Sequence, residues 1–302
     1  SFKSKGIKMT IKEALQYAKE YVNSIEARVL LKYILKKDNV YIISNASTEL
    51  TPDEEKELIN SVNKLKSGYP LQYITHNQEF MGLNFYVDEN VLIPQPDTEV
   101  LVENAIKLVS KNLHQNFFTE FQKQDASFNE FEKNESANNL KILDLCTGSG
   151  AIAISIKKYL PNAQVFASDI STEALSIAEK NAKSNEVEIK FIKSNMFENI
   201  KENFDIIVSN PPYIKTTEIR KLSQQVQNEP TLALDGGNDG LTFYKIISKE
   251  APKFLNKKGV LLVEIGYDQG LAVKSIFKNS KIVKDYAGND RVVIWSLHNT
   301  NF

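Results

Sequence analysis

The chain has 302 residues, is 42% hydrophobic and 25% charged, and carries a formal net charge of −1. That composition belongs to a globular protein with apolar material for about two domains, and it excludes a polyelectrolyte or a chain drawn to nucleic acid by its overall charge. The lone cysteine, Cys146, excludes a disulfide framework and suits a reducing compartment. Apolar runs such as residues 151–154 fall far short of the ~20 residues of a membrane span, and basic residues 1–8 lack the apolar stretch of a signal peptide. A cytoplasmic protein without membrane contact is expected, with Met9 as a natural start.

Charge is uneven: residues 1–77 are net +3, 78–139 net −7 and 140–302 net +3. Over 11–66 the apolar residues recur at helical spacing, first Leu15, Ala18, Val22 and Ile25, then a second set around Leu30 and Ile34. Thr51-Pro-Asp-Glu-Glu55 has the N-cap, proline and acidic first turn of a helix start, followed by Leu58, Ile59, Val62 and Leu65 on one face. A helical N-terminal domain over 1–77 is predicted. Phe80, Leu83, Phe85, Val87, Val91 and Ile93, with Asp88-Glu-Asn90 at a turn, predict a β-hairpin linking two domains within 78–99. Pro94-Gln-Pro-Asp-Thr-Glu99 caps a helix at 100–109. The rest of 100–139 reads as a helix extension and polar insertion, in which Phe117, Phe121, Phe128 and Phe131 could share one helix face; a partner-binding helix is the alternative.

From residue 140 onward strands alternate with helices, which predicts an α/β domain over 140–302 with a mostly parallel sheet. Strands are expected at 142–145, 164–167, 189–192, 204–208 and 259–265, and a closing hairpin at 281–285 and 291–295 makes the last strand antiparallel.

Asp144-Leu-Cys-Thr-Gly-Ser-Gly150 sits where a strand meets a helix, and its glycines allow a tight turn and close approach to a ligand. Asp169, 21 residues beyond Gly148, follows the next strand, where a carboxylate accepts from adenosine ribose hydroxyls. Nicotinamide and S-adenosylmethionine (SAM) sites share this pattern. A carboxylate at Asp144 complements the amino and sulfonium cations of SAM and repels a pyrophosphate, so SAM is favoured.

Asn210-Pro-Pro-Tyr213 then follows a strand, where α/β sheets place their sites. A planar amide or exocyclic amine is a poor nucleophile because its lone pair is conjugated. The Asn210 side-chain oxygen and the Pro211 carbonyl can accept its two protons and aim the lone pair, while Tyr213 covers its flat face.

With these motifs the sequence resembles the release factor glutamine methyltransferases, and the likeness runs over most of the chain. It includes Tyr73-Ile74, Phe80-Met-Gly-Leu-Asn-Phe85, Pro96-Asp-Thr-Glu99, Asp144 to Gly150, Asn210 to Tyr213, Glu229-Pro230, Ala233-Leu-Asp-Gly-Gly237 and Glu264-Ile-Gly266. The resemblance implies a Rossmann-like class I methyltransferase with a seven-stranded sheet, the N-terminal helical domain gripping the release factor. It implies methyl transfer from SAM to the glutamine amide of a Gly-Gly-Gln motif. The implied cofactor set is Asp144, Cys146, Thr147, Gly148, Ser149, Gly150, Asp169, Met196 and Asn210. Asn210, Pro211, Pro212 and Tyr213 would bind the glutamine, with Asn210, Pro211 and Tyr213 catalytic.

Three departures stand out. Cys146 replaces a usual glycine; Gln95 and Asp97 replace Arg and Glu of a Pro-Arg-Pro-Glu-Thr-Glu motif, removing any ion pair that Arg makes; Asn195 replaces a common Asp. Three scattered histidines and one cysteine give no metal set, and Glu264 reads equally as a functional group or a loop cap. Release factors are the expected partner and a monomer the expected form. The alternatives are a nucleic-acid adenine N6-methyltransferase, disfavoured by only three arginines, a non-catalytic SAM-binding protein, and an NAD-linked oxidoreductase.

Overall fold

The computed structural model describes residues 9–111 and 140–297. Residues 1–8, the polar insertion and its expected phenylalanine-faced helix lie outside the described residues. Two compact units are present: residues 1–77 with 222–228, and the remainder.

The first unit is helical: α1 (Ile11–Lys19), α2 (Ser24–Leu35), α3 (Asn39–Ser44), α4 (Pro52–Lys66) and α5 (Leu71–Thr75). Thr10, Asn23 and Thr51 begin α1, α2 and α4 with capping boxes, each returned by the glutamate three residues on. The expected set Leu15, Ala18, Val22 and Ile25 is cut by the turn before Asn23, which starts a new helix and leaves Ile25 74% exposed. Ala14, Ala18, Ala27, Leu30, Leu31, Leu58 and Val62 form the core instead.

The second unit opens with a short antiparallel pair, β1 (Gln78–Phe80) and β2 (Leu83–Phe85). This corrects the expected hairpin over 80–93: Met81 and Gly82, both at positive φ, make the turn, and 86–93 is not a strand. Glu99, the last residue of the acidic motif, accepts from the Met81 N–H at 2.7 Å and so secures the turn. Then follow α6 (Glu99–Lys111), β3 (Lys141–Leu145), α7 (Ala151–Tyr159), β4 (Gln164–Asp169), α8 (Thr172–Ser184), β5 (Lys190–Lys193) and β6 (Phe204–Ser209). The chain continues through the short helices α9 (Thr216–Ile219), α10 (Gln224–Gln227) and α11 (Thr231–Leu234) to α12 (Thr242–Glu250). It ends with β7 (Leu255–Glu264), α13 (Gly270–Ile276), β8 (Lys281–Lys284) and β9 (Asp290–Ser296).

The strands form one seven-stranded sheet ordered β5-β4-β3-β6-β7-β9-β8, parallel from β5 to β7, with β9 antiparallel to β7 and β8. Helices cover both faces, which explains the near-continuous apolar strands. Ile142, Ile206 and Leu262 pack into one core with α6 and α7, while Leu143, Ile207 and Leu261 pack into the other with α12 and α13. The chain runs outward from β3 to β5 and returns to β6 on the other side of β3, so the order reverses between β3 and β6. Ligand crevices form at such a reversal, beyond the carboxyl ends of the strands.

Two buried side chains tie the crevice walls. Asn181 of α8, fully buried, accepts from the Tyr86 N–H at 2.7 Å and donates to the carbonyls of Tyr86 and Ser149 at 2.9 Å each. Glu229 accepts from the Ile93 N–H at 2.9 Å, and burial pushes its carboxyl up to about 7 against that bond. Asn181→Ala removes three buried hydrogen bonds and is expected to cost about 2–4 kcal/mol, read as a lower urea midpoint at unchanged slope. Because the folded Glu229 carboxyl titrates above its unfolded range, its contribution to stability is fully present at acidic pH and is lost as pH rises through about 7. Glu229→Gln should therefore flatten the fall in unfolding free energy between about pH 4 and pH 7; an unchanged slope in denaturant titrations would contradict this.

Candidate active site

A cavity of about 320 Å³ opens at the strand-order reversal, lined in part by Thr98, 146–149, Asp169, Ile170, Asn195, Met196, Asn210 and Pro212. The loop from β3 to α7 makes its floor. Cys146, Gly148 and Gly150 all have positive φ. A side chain at Gly150 would meet the Ala178 Cβ at 3.0 Å, so this glycine lets α7 pack closely on α8. Thr147 ties the loop to the neighbouring strand through its N–H on the Ser168 carbonyl at 3.0 Å.

Asp144 shapes the loop from beneath rather than lining the cavity. It is fully buried, accepts from the Thr147 hydroxyl at 2.6 Å and the Ala153 N–H at 3.2 Å, and its Oδ1 has no hydrogen-bond partner. Burial pushes its carboxyl up to about 7, and the Asp169 charge adds to this. Asp169, at the end of β4, does line the cavity; one oxygen accepts from the Gly148 N–H at 2.9 Å and the other from the Ser171 N–H at 3.0 Å. Burial raises it too, against those backbone bonds. Cys146 meets the Met196 sulfur at 3.9 Å, and burial pushes its thiol up, which disfavours the reactive thiolate.

Asn210 follows β6. Its Nδ2 donates to the Thr98 hydroxyl at 3.3 Å, which leaves its Oδ1 as an acceptor. The turn it starts is clamped by the Ala233–Gly237 stretch: the Ile214 N–H donates to the Leu234 carbonyl at 2.9 Å and the Gly236 N–H returns to the Ile214 carbonyl at 2.8 Å. A Cβ at Gly236 would lie 2.7 Å from the Tyr213 Cα, so only glycine lets the two backbones pass.

Of the predicted residues, Cys146, Thr147, Gly148, Ser149, Asp169, Met196, Asn210 and Pro212 meet at this cavity, whereas Asp144, Gly150, Pro211 and Tyr213 do not line it. The Tyr213 carbonyl accepts from the Gln269 amide at 2.9 Å. Sequence reasoning missed Thr98 and the ion pairs behind it. Arg291 meets both Asp97 and Asp285 at 3.0 Å, so the shortened acidic residue of the altered motif has a cationic partner from β9. Gln95 instead donates to the Ile93 carbonyl at 3.0 Å. Asn195 donates to Glu198 at 2.8 Å.

Comparison with known proteins agrees with this architecture. Family models described as "Methyltransferase small domain" and "PrmC N-terminal domain" match residues 127–237 and 10–75. Release factor glutamine methyltransferases of Clostridium acetobutylicum and Flavobacterium psychrophilum are 38% and 45% identical, covering 89% and 76% of this chain and 90% and 76% of theirs. A bifunctional methyltransferase of Rickettsia felis is 37% identical over 97% of this chain, which spans 59% of that protein. The catalytic domain of hMettl16, solved in complex with a MAT2A 3'UTR hairpin, shares the fold at TM-score 0.55 and 13% identity, covering 89% of this chain and 93% of that one. SAM is the cofactor of these methyltransferases, and the residues here fit it: the Asp169 carboxylate on the cavity wall, held by the Gly148 and Ser171 N–H groups, suits a ligand that carries ribose hydroxyls. The chain belongs to the release factor glutamine methyltransferases, SAM-dependent enzymes built on a Rossmann-like sheet with a helical N-terminal region.

Proposed function

We propose that this enzyme methylates N5 of the glutamine in the Gly-Gly-Gln motif of peptide chain release factors. The observation that carries the reading is the orientation of Asn210: Thr98 takes its Nδ2, so Oδ1 is left at the cavity wall as a hydrogen-bond acceptor. A primary amide offers two N–H donors, and Oδ1 together with the Pro211 carbonyl can accept both. Holding both protons fixes the plane of the amide and aims the nitrogen lone pair into the cofactor cavity. SAM, when bound, supplies an electrophilic methyl on a sulfonium.

The chain's remaining work is positional. Asp169 presents oxygens already ordered by two backbone N–H groups, so its free lone pairs face the ribose hydroxyls without further loss of freedom. Gly148, Ser149 and Met196 line the cavity; the first two would bring backbone close to the methionine part of SAM, and Met196 would lie against its adenine. Pro211 and Pro212 stiffen the turn, and Tyr213 anchors it through its carbonyl, which accepts from the Gln269 amide. No residue need act as a strong base, because an N-methylated amide nitrogen loses its extra proton readily to water or a neighbouring carbonyl.

Asn210→Ala is expected to lower kcat at least about a hundredfold, more than it weakens SAM binding, because it removes an interaction that orients the reacting group. Transfer of labelled methyl to purified release factor, with an adenine-containing duplex as control, checks this. Label on the duplex would move the enzyme to the adenine class, and an undiminished Asn210→Ala rate would remove the central role given to that side chain.

A further inference from the structure

Pro211 and Pro212 have no N–H to donate, so at these positions the turn cannot be tied down by its own amides. A donor from elsewhere holds it by a carbonyl. Gln269 stands just before α13, is 8% exposed and does not line the cavity. Its Nε2 donates to the Tyr213 carbonyl at 2.9 Å and to the Gly240 carbonyl at 3.2 Å. Its Oε1 accepts from the Gly266 N–H at 2.9 Å, and the Tyr244 hydroxyl lies 3.3 Å from it. The Gln269 backbone N–H also donates to the Gly266 carbonyl at 2.9 Å, so this residue grips Gly266 from both directions.

These partners fix the amide one way round. A side-chain amide carries two donor protons on nitrogen and none on oxygen. Turning it over would set its oxygen against two carbonyls and its nitrogen against an N–H. One buried side chain thereby joins three segments: the turn at Tyr213, the glycine-rich stretch at Gly240 and the end of β7 at Gly266. The opposite end of the turn continues from Ser209, which is paired with Leu145 and Val263 in the sheet. We propose that Gln269 is a positioning residue for methyl transfer, holding the far end of the turn so that the Pro211 carbonyl stays in register with the Asn210 Oδ1. The inference rests on the proposed reading of those two acceptors as the receptor for the substrate amide, and extends it to a residue outside the cavity.

Gln269→Glu keeps the size and the acceptors of the side chain but not its two donors. A carboxylate has no proton for Tyr213 or Gly240, and the neutral acid has one for two carbonyls. Gln269→Met keeps a similar length and removes both functions. A misplacement of about 1 Å in a reacting geometry costs about a hundredfold in rate. Both variants are therefore expected to lower kcat for methyl transfer to release factor roughly ten- to hundredfold, with SAM affinity and KM for the release factor changed by about twofold or less. A second readout is independent of the substrate. The backbone amides of Ile214 and Gly236, whose hydrogen bonds close the turn, should exchange with deuterium at least about tenfold faster in both variants, while that of Thr147 in the cofactor loop exchanges as in the wild type. Wild-type kcat in both variants, or unchanged exchange at Ile214 and Gly236, would overturn the inference. So would loss of SAM affinity and of Thr147 protection alongside kcat, or failure of both variants to fold, because Gln269 would then support the whole domain rather than the turn. If only one variant folds, it decides by the same criteria. A wild-type enzyme that methylates no release factor, but whose Ile214 and Gly236 amides respond as stated, would overturn the substrate assignment and support the anchoring of the turn.

Discussion

The parallel register of β4, β3, β6 and β7 is the constraint on which the site depends. Leu145 pairs with Ser168 on one side and Ser209 on the other, and Ser209 pairs with Val263, so four strands end side by side. The Ser209 hydroxyl locks the centre of this row by donating to the Leu145 carbonyl at 2.7 Å. Asp169, the loop after Leu145, Asn210 and Glu264 thereby reach one edge of the sheet from distant parts of the chain. A shift of one residue would turn each of these side chains to the opposite face. Apolar packing on both faces, with Leu143, Ile207 and Leu261 on one side and Ile142, Ile206 and Leu262 on the other, holds the register.

That edge is dense in carboxylates that folding alone would not favour. Asp144, Glu229 and Glu264 are each buried and each raised to about 7. Two of them hold a particular piece of the site in place: Asp144 bends the glycine loop over the Ala153 N–H, and Glu229 holds the Ile93 backbone. Stability is surrendered to geometry here, as is common where a site must be rigid before its ligand arrives.

Periodicity and turn chemistry made much of the fold readable. Alternating strands and helices gave the parallel sheet, and the closing hairpin at 281–285 and 291–295 gave the antiparallel end, now seen as β8 and β9. The glycine loop, Asp169 and Asn210 could be found because a short local pattern carries their chemistry. Thr98 and the Asp97–Arg291 pair could not, since their partnerships span more than 100 residues of chain and follow only from strand order. The same limit explains Asp97: read locally it is a shortened motif residue, while in three dimensions it is the partner of Arg291. The β1–β2 turn was misplaced for a different reason. Asp88-Glu-Asn90 has turn composition, and Asp88 does accept from the Asn90 N–H, but the flanking apolar residues are buried without pairing as strands.

Recognition of a primary amide by Asn210 is the centre of the proposed chemistry. The most direct test changes the substrate rather than the enzyme: labelled methyl transfer to a release factor whose Gly-Gly-Gln glutamine is replaced by glutamate, beside the unaltered factor. A carboxylate has no N–H to give Asn210 and no nitrogen to accept methyl, so label is expected on the unaltered factor and none on the altered one. Equal label on both would place the reacting group elsewhere and contradict amide recognition by Asn210.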